Sequence, residues 1–302
     1  MLSYQHGYHA GNMADVHKHA LLAWMLGDLT QKVKPLSYLE THAGRGLYRL
    51  DAPEAMKTGE AAAGIERVRG LGWFAAEHPY AVALAKVRAE HGAAAYPGSP
   101  LVAEVFLRAG DRMMLAELHP KEHADLVEVM GGRAQVLKED GAKMALRLVP
   151  PEPKRGLMLI DPSYEIKGDY EAAAKLVRQV HGRWAVGVIV LWYPILTSGL
   201  HRSMIVELER ALPDGVRHEV RFPPAREGHR MVGSGLFVVN PPYGFSAEAA
   251  RASRWLVEML DEDGGWRRGT SKFAMGGPHV YNARAAWGLA RYGQFAGDKD
   301  AL

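Results

Sequence analysis

Four short apolar segments of the chain are each followed by an acidic residue. The segments cover residues 35–39, 113–116, 134–137 and 157–160. Glu40, Glu117 and Asp161 directly follow the first, second and fourth, and the third leads to Asp140-Gly141. Segments of this length that are apolar throughout, rather than alternating, predict strands buried on both faces of a parallel sheet. Because the carboxyl ends of parallel strands line the ligand crevice, we expect these acids at one edge of a binding site.

Helical patterns lie before and between these segments, and three later strands extend the set. We predict helices over residues 14–29, 99–110, 120–130, 169–179 and 198–212, and further strands over residues 186–191, 216–222 and 236–240. The first helix shows apolar residues at a period near 3.6, and Asn12 is placed to cap it. Strands that alternate with helices predict a doubly wound α/β fold with right-handed crossovers.

Residues 47–96 break this alternation. They carry two alanine-rich helical patterns, over residues 59–70 and 79–91, and no strand is expected among them. We therefore predict four parts of the chain: an N-terminal arm with the first helix and first strand (1–46), a helical insertion (47–96), the rest of the main domain (97–265) and a C-terminal extension (266–302).

Composition narrows the class of protein without identifying it. Of the 302 residues, 48% are hydrophobic and 24% charged, which is typical of a globular chain and excludes a fibrous or disordered one. The chain has no cysteine, which excludes a disulfide framework, an iron–sulfur centre and a thiol nucleophile. A net charge of +3 is too small to indicate a nucleic-acid partner. With no apolar run near the roughly 20 residues of a membrane span, and no signal-like N-terminus, we expect a cytoplasmic protein without a membrane partner.

The strongest chemical signal is Asp161-Pro162-Ser163-Tyr164, directly after the fourth apolar segment. It approximates the D/N/S-P-P-aromatic motif of methyltransferases that act on amino groups. The exocyclic amine of adenine is a poor nucleophile because its lone pair is delocalised into the ring. The Asp161 carboxylate and the Pro162 carbonyl can each accept one of its N–H bonds, and Tyr164 offers a face on which the base can stack.

Two other strand ends offer weaker signals for a cofactor. Glu117 can accept hydrogen bonds from both hydroxyls of a ribose, although a solvated strand end is an open alternative. The Asp140-Gly141 pair is equally ambiguous and could hold an adenine amino group. The glycines in Thr41-His42-Ala43-Gly44-Arg45-Gly46 allow a ligand close to the backbone, but the full dinucleotide fingerprint is missing.

Histidines and basic residues form two further groups. His6, His9, His17, His19 and His42 could suggest a metal site, but no H-E-x-x-H pattern occurs, so polar contacts to a cofactor or substrate are favoured. The segment 223–235 carries Arg226, His229 and Arg230, which suit either phosphate contacts or a solvated loop.

The order of several motifs resembles one family. The motifs are LSYxHxxHAGNxADVxKH, THAGxG, YPGSP, ELHP, a strand-ending DG, DPxYE, LWYP and GSGLFVVNPP. Over about residues 1–260 they resemble the RlmJ family, bacterial enzymes that methylate an adenine N6 in 23S ribosomal RNA. The resemblance implies S-adenosylmethionine as cofactor, a Rossmann-like class I methyltransferase fold with a small helical insertion, and protein-free or partly assembled 23S ribosomal RNA as substrate.

The same resemblance assigns residue roles. It implies cofactor contacts for His19, His42, Ser99, Glu117, Asp140, Gly141 and Asp161, and substrate contacts for Tyr4, Lys18 and Tyr164. Catalysis is expected from Asp161, as proton acceptor, with Pro162 and Tyr164, and no metal is expected. Ser163 replaces the second proline usual in the motif, so the turn is less rigid, but the carbonyl that accepts the amine belongs to Pro162.

Other functions remain open from the sequence. The same tetrapeptide can hold the amine of a DNA adenine or of a protein glutamine, so a methyltransferase for either is an alternative. A non-catalytic RNA-binding protein that keeps the pocket is another, and a histidine-ligated metal hydrolase is a third. We expect a monomer.

Overall fold

A computed structural model of the protein describes residues 5–222, 228 and 230–253. Within these residues the strands are β1 (Ser37–Glu40), β2 (Leu47–Arg49), β3 (Ala95–Pro97), β4 (Arg112–Ala116), β5 (Gln135–Leu137), β6 (Gly156–Ile160), β7 (Val188–Leu196), β8 (Val216–Arg221) and β9 (Met231–Val239). The α-helices are α1 (Met13–Thr30), α2 (Pro53–Thr58), α3 (Arg67–Gly70), α4 (Pro79–His91), α5 (Ser99–Phe106), α6 (Pro120–Met130), α7 (Gly141–Leu148), α8 (Gly168–Arg183), α9 (His201–Ala211) and α10 (Phe245–Ala252).

The central sheet has the strand order β5-β4-β1-β6-β7-β9-β8. The first five strands in that order are parallel, and β9 runs antiparallel to both of its neighbours. Side chains from alternate positions of these strands enter two separate apolar clusters; Tyr38 belongs to one and Leu39 to the other. Helices therefore cover both faces of the sheet, and the expected Rossmann-like class I methyltransferase fold is confirmed.

Residues 47–96 differ from the expectation in two respects. Helix α4 matches the predicted helix 79–91, whereas the predicted helix 59–70 is interrupted by non-helical backbone at Gly64 and includes α3 at its end. β2 and β3 pair antiparallel in a small second sheet, so the prediction of no strand in this segment was wrong. Each of these strands is only three residues long, which is too short to show a pattern in the sequence. Tyr48 in β2 and Tyr96 in β3 are buried and join the larger apolar cluster.

Two strands extend further than the sequence indicated. β7 continues past Leu191 to Leu196, and β9 begins at Met231, so that Trp192 pairs with Leu236 and Pro194 with Ser234. β6 ends beside Leu191, so Pro194 has a neighbouring strand on one side only, where its missing N–H is tolerated. This extension carries β7 beyond the end of β6, to the edge where the acidic residues were expected.

Helix α1 presents polar residues to the interior. Asn12 caps it as predicted, its side chain accepting from the Asp15 N–H at 2.9 Å. Asp15, His17, Lys18 and His19 are all buried, with at most 5% of each residue exposed. Buried charges need partners, so the structure must supply them at this turn of α1.

Several expectations fall on residues outside the described ranges. These are Tyr4, Arg226, His229 and the extension 266–302. Across the described part of the chain, no helix is both long enough and apolar enough to span a bilayer.

Candidate active site

A cavity of about 270 Å³ lies at the carboxyl ends of β1, β4 and β6. The residues with predicted roles that line it are Lys18, His19, His42, Ser99, Glu117, Asp161, Pro162 and Tyr164. They come from α1, the loop after β1, the start of α5 and the ends of β4 and β6. The structure thus brings together residues that are up to 146 positions apart, from Lys18 to Tyr164.

Asp161 is held by a buried lysine. Lys18 Nζ donates to Asp161 Oδ2 at 2.7 Å and lies 3.2 Å from Asp15 Oδ1. Burial alone would lower the pKa of Lys18, but Asp161 and Asp15 raise it above its ordinary value, so Lys18 stays charged. The i, i+3 spacing of Asp15 and Lys18 on α1 could have indicated this pair from sequence.

Asp15 connects the cavity to the N-terminal arm. Its Oδ2 accepts from the Gly11 N–H at 2.9 Å and lies 2.9 Å from His6 Nε2. Burial alone would raise its pKa, but His6, Lys18 and His19 bring the pKa of Asp15 well below the usual value. The carboxylate is therefore ionised and fixes both the arm and Lys18.

Tyr164 adopts a backbone conformation that few side chains take. Its φ is +54°, which positions the residue at the turn after β6. The hydroxyl donates to the Trp192 carbonyl at 2.7 Å, and the ring lies 4.5 Å from that of Tyr170. Only 8% of Tyr164 is exposed, although it lines the cavity. Ser163, which stands in place of a second proline, is exposed.

Glu117 is oriented by two backbone groups. Its Oε2 accepts from the Gly44 N–H at 2.8 Å and its Oε1 from the His119 N–H at 2.7 Å. Burial raises the pKa of Glu117, and these two bonds oppose the rise. Gly44 has φ +61°, and a Cβ there would lie 2.5 Å from the Tyr48 hydroxyl, so only glycine fits.

His19 brings an unpartnered polar atom to the cavity. Its Nδ1 bonds to the Tyr96 hydroxyl at 3.0 Å, but its buried Nε2 has no hydrogen-bond partner among the described residues. Burial lowers the pKa of His19 to about 3, so the ring is neutral at physiological pH.

Two of the four strand-ending acids do not line the cavity, contrary to expectation. Glu40 is fully buried, where it accepts from the Tyr38 hydroxyl at 2.8 Å and from the Ser99 hydroxyl. Asp140 caps α7 by accepting from the Lys143 N–H at 2.9 Å. Gly141 packs so tightly on the Thr41 carbonyl that a Cβ would not fit. The cofactor contacts of Asp140 and Gly141 stay predictions.

The burial of Glu40 predicts a pH-dependent stability. Burial raises its pKa to about 8, despite the hydrogen bonds from Ser99 and Tyr38, which lower it. Because the folded-state pKa of Glu40 lies above the ordinary 4.5, the protonated carboxyl stabilises the fold. This contribution to the free energy of unfolding is complete below pH 4.5 and is lost as pH rises through 8. The free energy of unfolding of the wild type, relative to Glu40→Gln, should therefore fall between these values, by at most about 1.4 kcal/mol per pH unit.

Urea unfolding at several pH values measures this difference. Glu128→Gln, at an exposed position of α6, is the matched control and should follow the wild type at every pH. A difference between wild type and Glu40→Gln that is the same at pH 5 and pH 8 would contradict the assignment.

Four of the candidate histidines, His6, His9, His19 and His42, line the cavity, but they are held by different partners. His6 bonds to Asp15, His9 to Glu60, His17 to Ser234 and His218, and His19 to Tyr96. Over the described ranges, no three histidine or acidic side chains are grouped so that they could hold a metal ion. The expectation of a metal-free site stays a prediction.

Comparison with known proteins gives one consistent family. The model of the family described as ribosomal RNA large subunit methyltransferase D, RlmJ, matches residues 33–270. The chain is 38% identical over 267 residues to the ribosomal RNA large subunit methyltransferase J of Escherichia coli (strain K12), with 86% of this chain and 94% of that protein covered. It is 35% identical over 276 residues to the protein of the same name from Haemophilus influenzae, with 87% and 96% covered.

A solved structure supports the same relationship. Protein LPL1258 from Legionella pneumophila matches with a TM-score of 0.74 at 33% identity, over 82% of this chain and 93% of that one. The chain thus shares its fold with LPL1258 and its sequence with the two methyltransferases.

Proposed function

Because the chain belongs to the RlmJ family of ribosomal RNA large-subunit methyltransferases, we propose that it methylates the N6 amine of an adenine in 23S ribosomal RNA. Membership makes it an S-adenosylmethionine-dependent ribosomal RNA methyltransferase. The observation that carries the finer proposal is that Asp161 and Glu117 line one cavity, so an amine acceptor and a ribose acceptor share a site.

The residues at one side of this cavity fit S-adenosylmethionine. Glu117 keeps acceptor capacity on both oxygens for a ribose diol, Gly44 lines the cavity with backbone alone, and the unpartnered Nε2 of His19 can accept or donate one bond. His42 and Ser99 complete this proposed side. When bound, the cofactor supplies a methyl group on a positively charged sulfur, whose transfer needs mainly alignment.

Asp161 and Pro162 orient the amine in this proposal. Lys18 occupies Asp161 Oδ2, which directs Oδ1 to a second donor. Asp161 Oδ1 and the Pro162 carbonyl each accept one N–H of the amine, which draws the lone pair of nitrogen out of the ring. As the nitrogen gains its methyl group, its proton becomes more acidic and passes to the Asp161 carboxylate.

The target base must leave the RNA stack to reach these groups. Sequence-specific RNA enzymes act on loops, bulges and ends, where a base can be splayed out. We propose that the base contacts Tyr164, that Lys18 and Tyr4 belong to the substrate side, and that the RNA is protein-free or partly assembled. We also propose a cytoplasmic, metal-free monomer.

Glu117→Ala is expected to weaken cofactor binding. The substitution removes the acceptor for two ribose hydroxyls, so the Kd for S-adenosylmethionine should rise by about tenfold or more, given about 1.5–3 kcal/mol for hydrogen bonds to a charged group. Isothermal titration calorimetry measures it, with Glu128→Ala on the exposed face of α6 as control. An unchanged Kd would place the ribose elsewhere.

A substrate panel tests the proposed function. Labelled S-adenosylmethionine is offered with protein-free 23S ribosomal RNA, assembled large subunits, adenine-containing DNA or a glutamine-containing peptide. The proposal expects transfer to the protein-free RNA above all others. Transfer to DNA or peptide alone would favour the alternative methyltransferases, and no transfer with intact RNA binding would favour a non-catalytic role.

A further inference from the structure

An aromatic ring in the cavity wall is tied into the protein interior. Trp192, in the unexpected extension of β7, lines the cavity with Asp161 and Tyr164 and is half-buried. Its indole Nε1 donates to the hydroxyl of Ser234 on β9 at 2.9 Å. Ser234 is fully buried, and the bond itself is partly buried.

The bond to Ser234 is the first of a chain of hydrogen bonds. Ser234 Oγ lies 2.8 Å from His17 Nδ1 on α1, and His17 Nε2 lies 2.9 Å from His218 Nδ1 on β8. His218 Nε2 lies 2.7 Å from the hydroxyl of Ser253, just after α10, which itself donates to the Ala249 carbonyl at 2.8 Å. The chain thus joins the cavity wall to α1, two strands and α10.

The Ser253 end of this chain fixes its direction. The Ser253 hydroxyl has one proton, which it donates to the Ala249 carbonyl, so it must accept from His218 Nε2. With both rings neutral, His218 Nδ1 then accepts from His17 Nε2, and His17 Nδ1 accepts from the Ser234 hydroxyl. Burial lowers the pKa of His17, with a further contribution from His218, and lowers that of His218 to about 4, which agrees with neutral rings. Every donor along the path is matched to an acceptor.

The neighbouring aromatic residue is less accessible. Tyr164 is 8% exposed and packs on Tyr170, whereas Trp192 presents more of its surface. The Tyr164 hydroxyl bonds to the Trp192 carbonyl, so it also supports the backbone of β7. Lys18 Nζ lies 5.3 Å from the centre of the Trp192 ring, which links the indole to the lysine that holds Asp161.

We propose that Trp192 provides a stacking surface for the target adenine, and that the chain of hydrogen bonds through Ser234, His17, His218 and Ser253 positions its indole. The inference rests on the proposed function and adds a substrate-contacting residue to it. A ring whose orientation is fixed before binding loses little side-chain freedom when the base arrives, so more of the stacking energy appears as binding or rate.

Substitution of Trp192 tests the stacking role. With protein-free 23S ribosomal RNA, Trp192→Leu should lower kcat/KM by about tenfold or more, the loss expected for one base stacked on an aromatic ring. Trp192→Phe keeps a ring but loses the bond to Ser234, so it should recover only part of the loss, to about the level of Ser234→Ala. The Kd for S-adenosylmethionine reports on the cofactor side of the cavity, and the Tm reports on folding. Both should change little in Trp192→Leu.

Trp24→Leu is the matched control. Trp24, on α1, is another half-buried tryptophan. It packs near Gly244 and is absent from the cavity lining. We expect its kcat/KM for RNA to stay within about twofold of wild type. If Trp192→Leu also stays within about twofold, the stacking role is overturned.

A double-mutant cycle tests the positioning role. Ser234→Ala should lower kcat/KM for RNA about three- to tenfold, as expected for one lost buried hydrogen bond, without changing cofactor affinity. In the Trp192→Leu background the same substitution should have no further effect, because nothing remains to be positioned. An equal loss of kcat/KM in both backgrounds would overturn the positioning role of the hydrogen-bond chain. A wild-type enzyme that transfers no methyl group to the RNA would overturn the proposed function, and this inference with it.

Discussion

Replacing Asp161 by alanine is expected to lower kcat for methyl transfer about 10³-fold or more, since both the alignment of the amine and its proton acceptor are lost. The carboxylate is held at 2.7 Å by Lys18 and lines the cavity with Pro162. Single-turnover methylation of protein-free 23S ribosomal RNA measures the chemical step directly. Cofactor affinity should fall only modestly, because Glu117 and the glycine loop are untouched.

Asp161→Asn is the informative companion variant. Its amide oxygen can still accept one N–H of the amine, but it neither takes the proton nor balances the charge of Lys18. We expect activity between those of the wild type and Asp161→Ala. If Asp161→Ala retains more than about a tenth of the wild-type rate, Asp161 is not the catalytic acceptor and the proposed mechanism is wrong.

Replacing Lys18 by methionine should affect both stability and activity. Lys18 is 5% exposed and lies between Asp15 and Asp161, so its removal leaves two carboxylates close together without their cation. Breaking a buried ion pair in this way costs about 3–5 kcal/mol of the free energy of unfolding. We also expect a loss of methyl transfer, because Asp161 is no longer held.

Chemical denaturation at neutral and acidic pH tests whether the loss of stability comes from the two carboxylates left without a cation. The penalty of Lys18→Met should shrink as pH falls below about 4 toward the lowered pKa of Asp15, because the wild type then loses the ionised carboxylate that Lys18 stabilises. Lys175→Met, at an exposed position of α8, should leave stability and activity unchanged. An equally small effect of both substitutions would show that the buried cation is not required.

Most strands of the central sheet were predictable because each leaves a local pattern in the sequence. A continuous apolar run such as residues 157–160 favours a doubly buried strand, and an acid directly after it is a candidate for the ligand edge. Asp161 and Glu117 were identified in this way. The short β2 and β3, and the continuation of β7 past Leu191, depend on partner strands far along the chain, which a local pattern does not reveal.

The predicted site residues likewise follow from local patterns, and the unpredicted ones depend on contacts between distant parts of the chain. Glu40 has the same sequence signature as Glu117, yet the hydroxyls of Ser99 and Tyr38 enclose it in the interior. The path that fixes Trp192 joins His17 to Ser234, which are 217 residues apart. Only the folded chain brings such groups within hydrogen-bond distance.

Nucleoside mass spectrometry tests the central claim most directly. Protein-free 23S ribosomal RNA is incubated with S-adenosylmethionine and the wild-type enzyme, digested to nucleosides and compared with the reaction of Asp161→Ala. The account predicts N6-methyladenosine in the first digest and none above background in the second. A methyl group on any other nucleoside, or equal yields of N6-methyladenosine from both proteins, would contradict the claim that Asp161 presents an adenine amine for methylation.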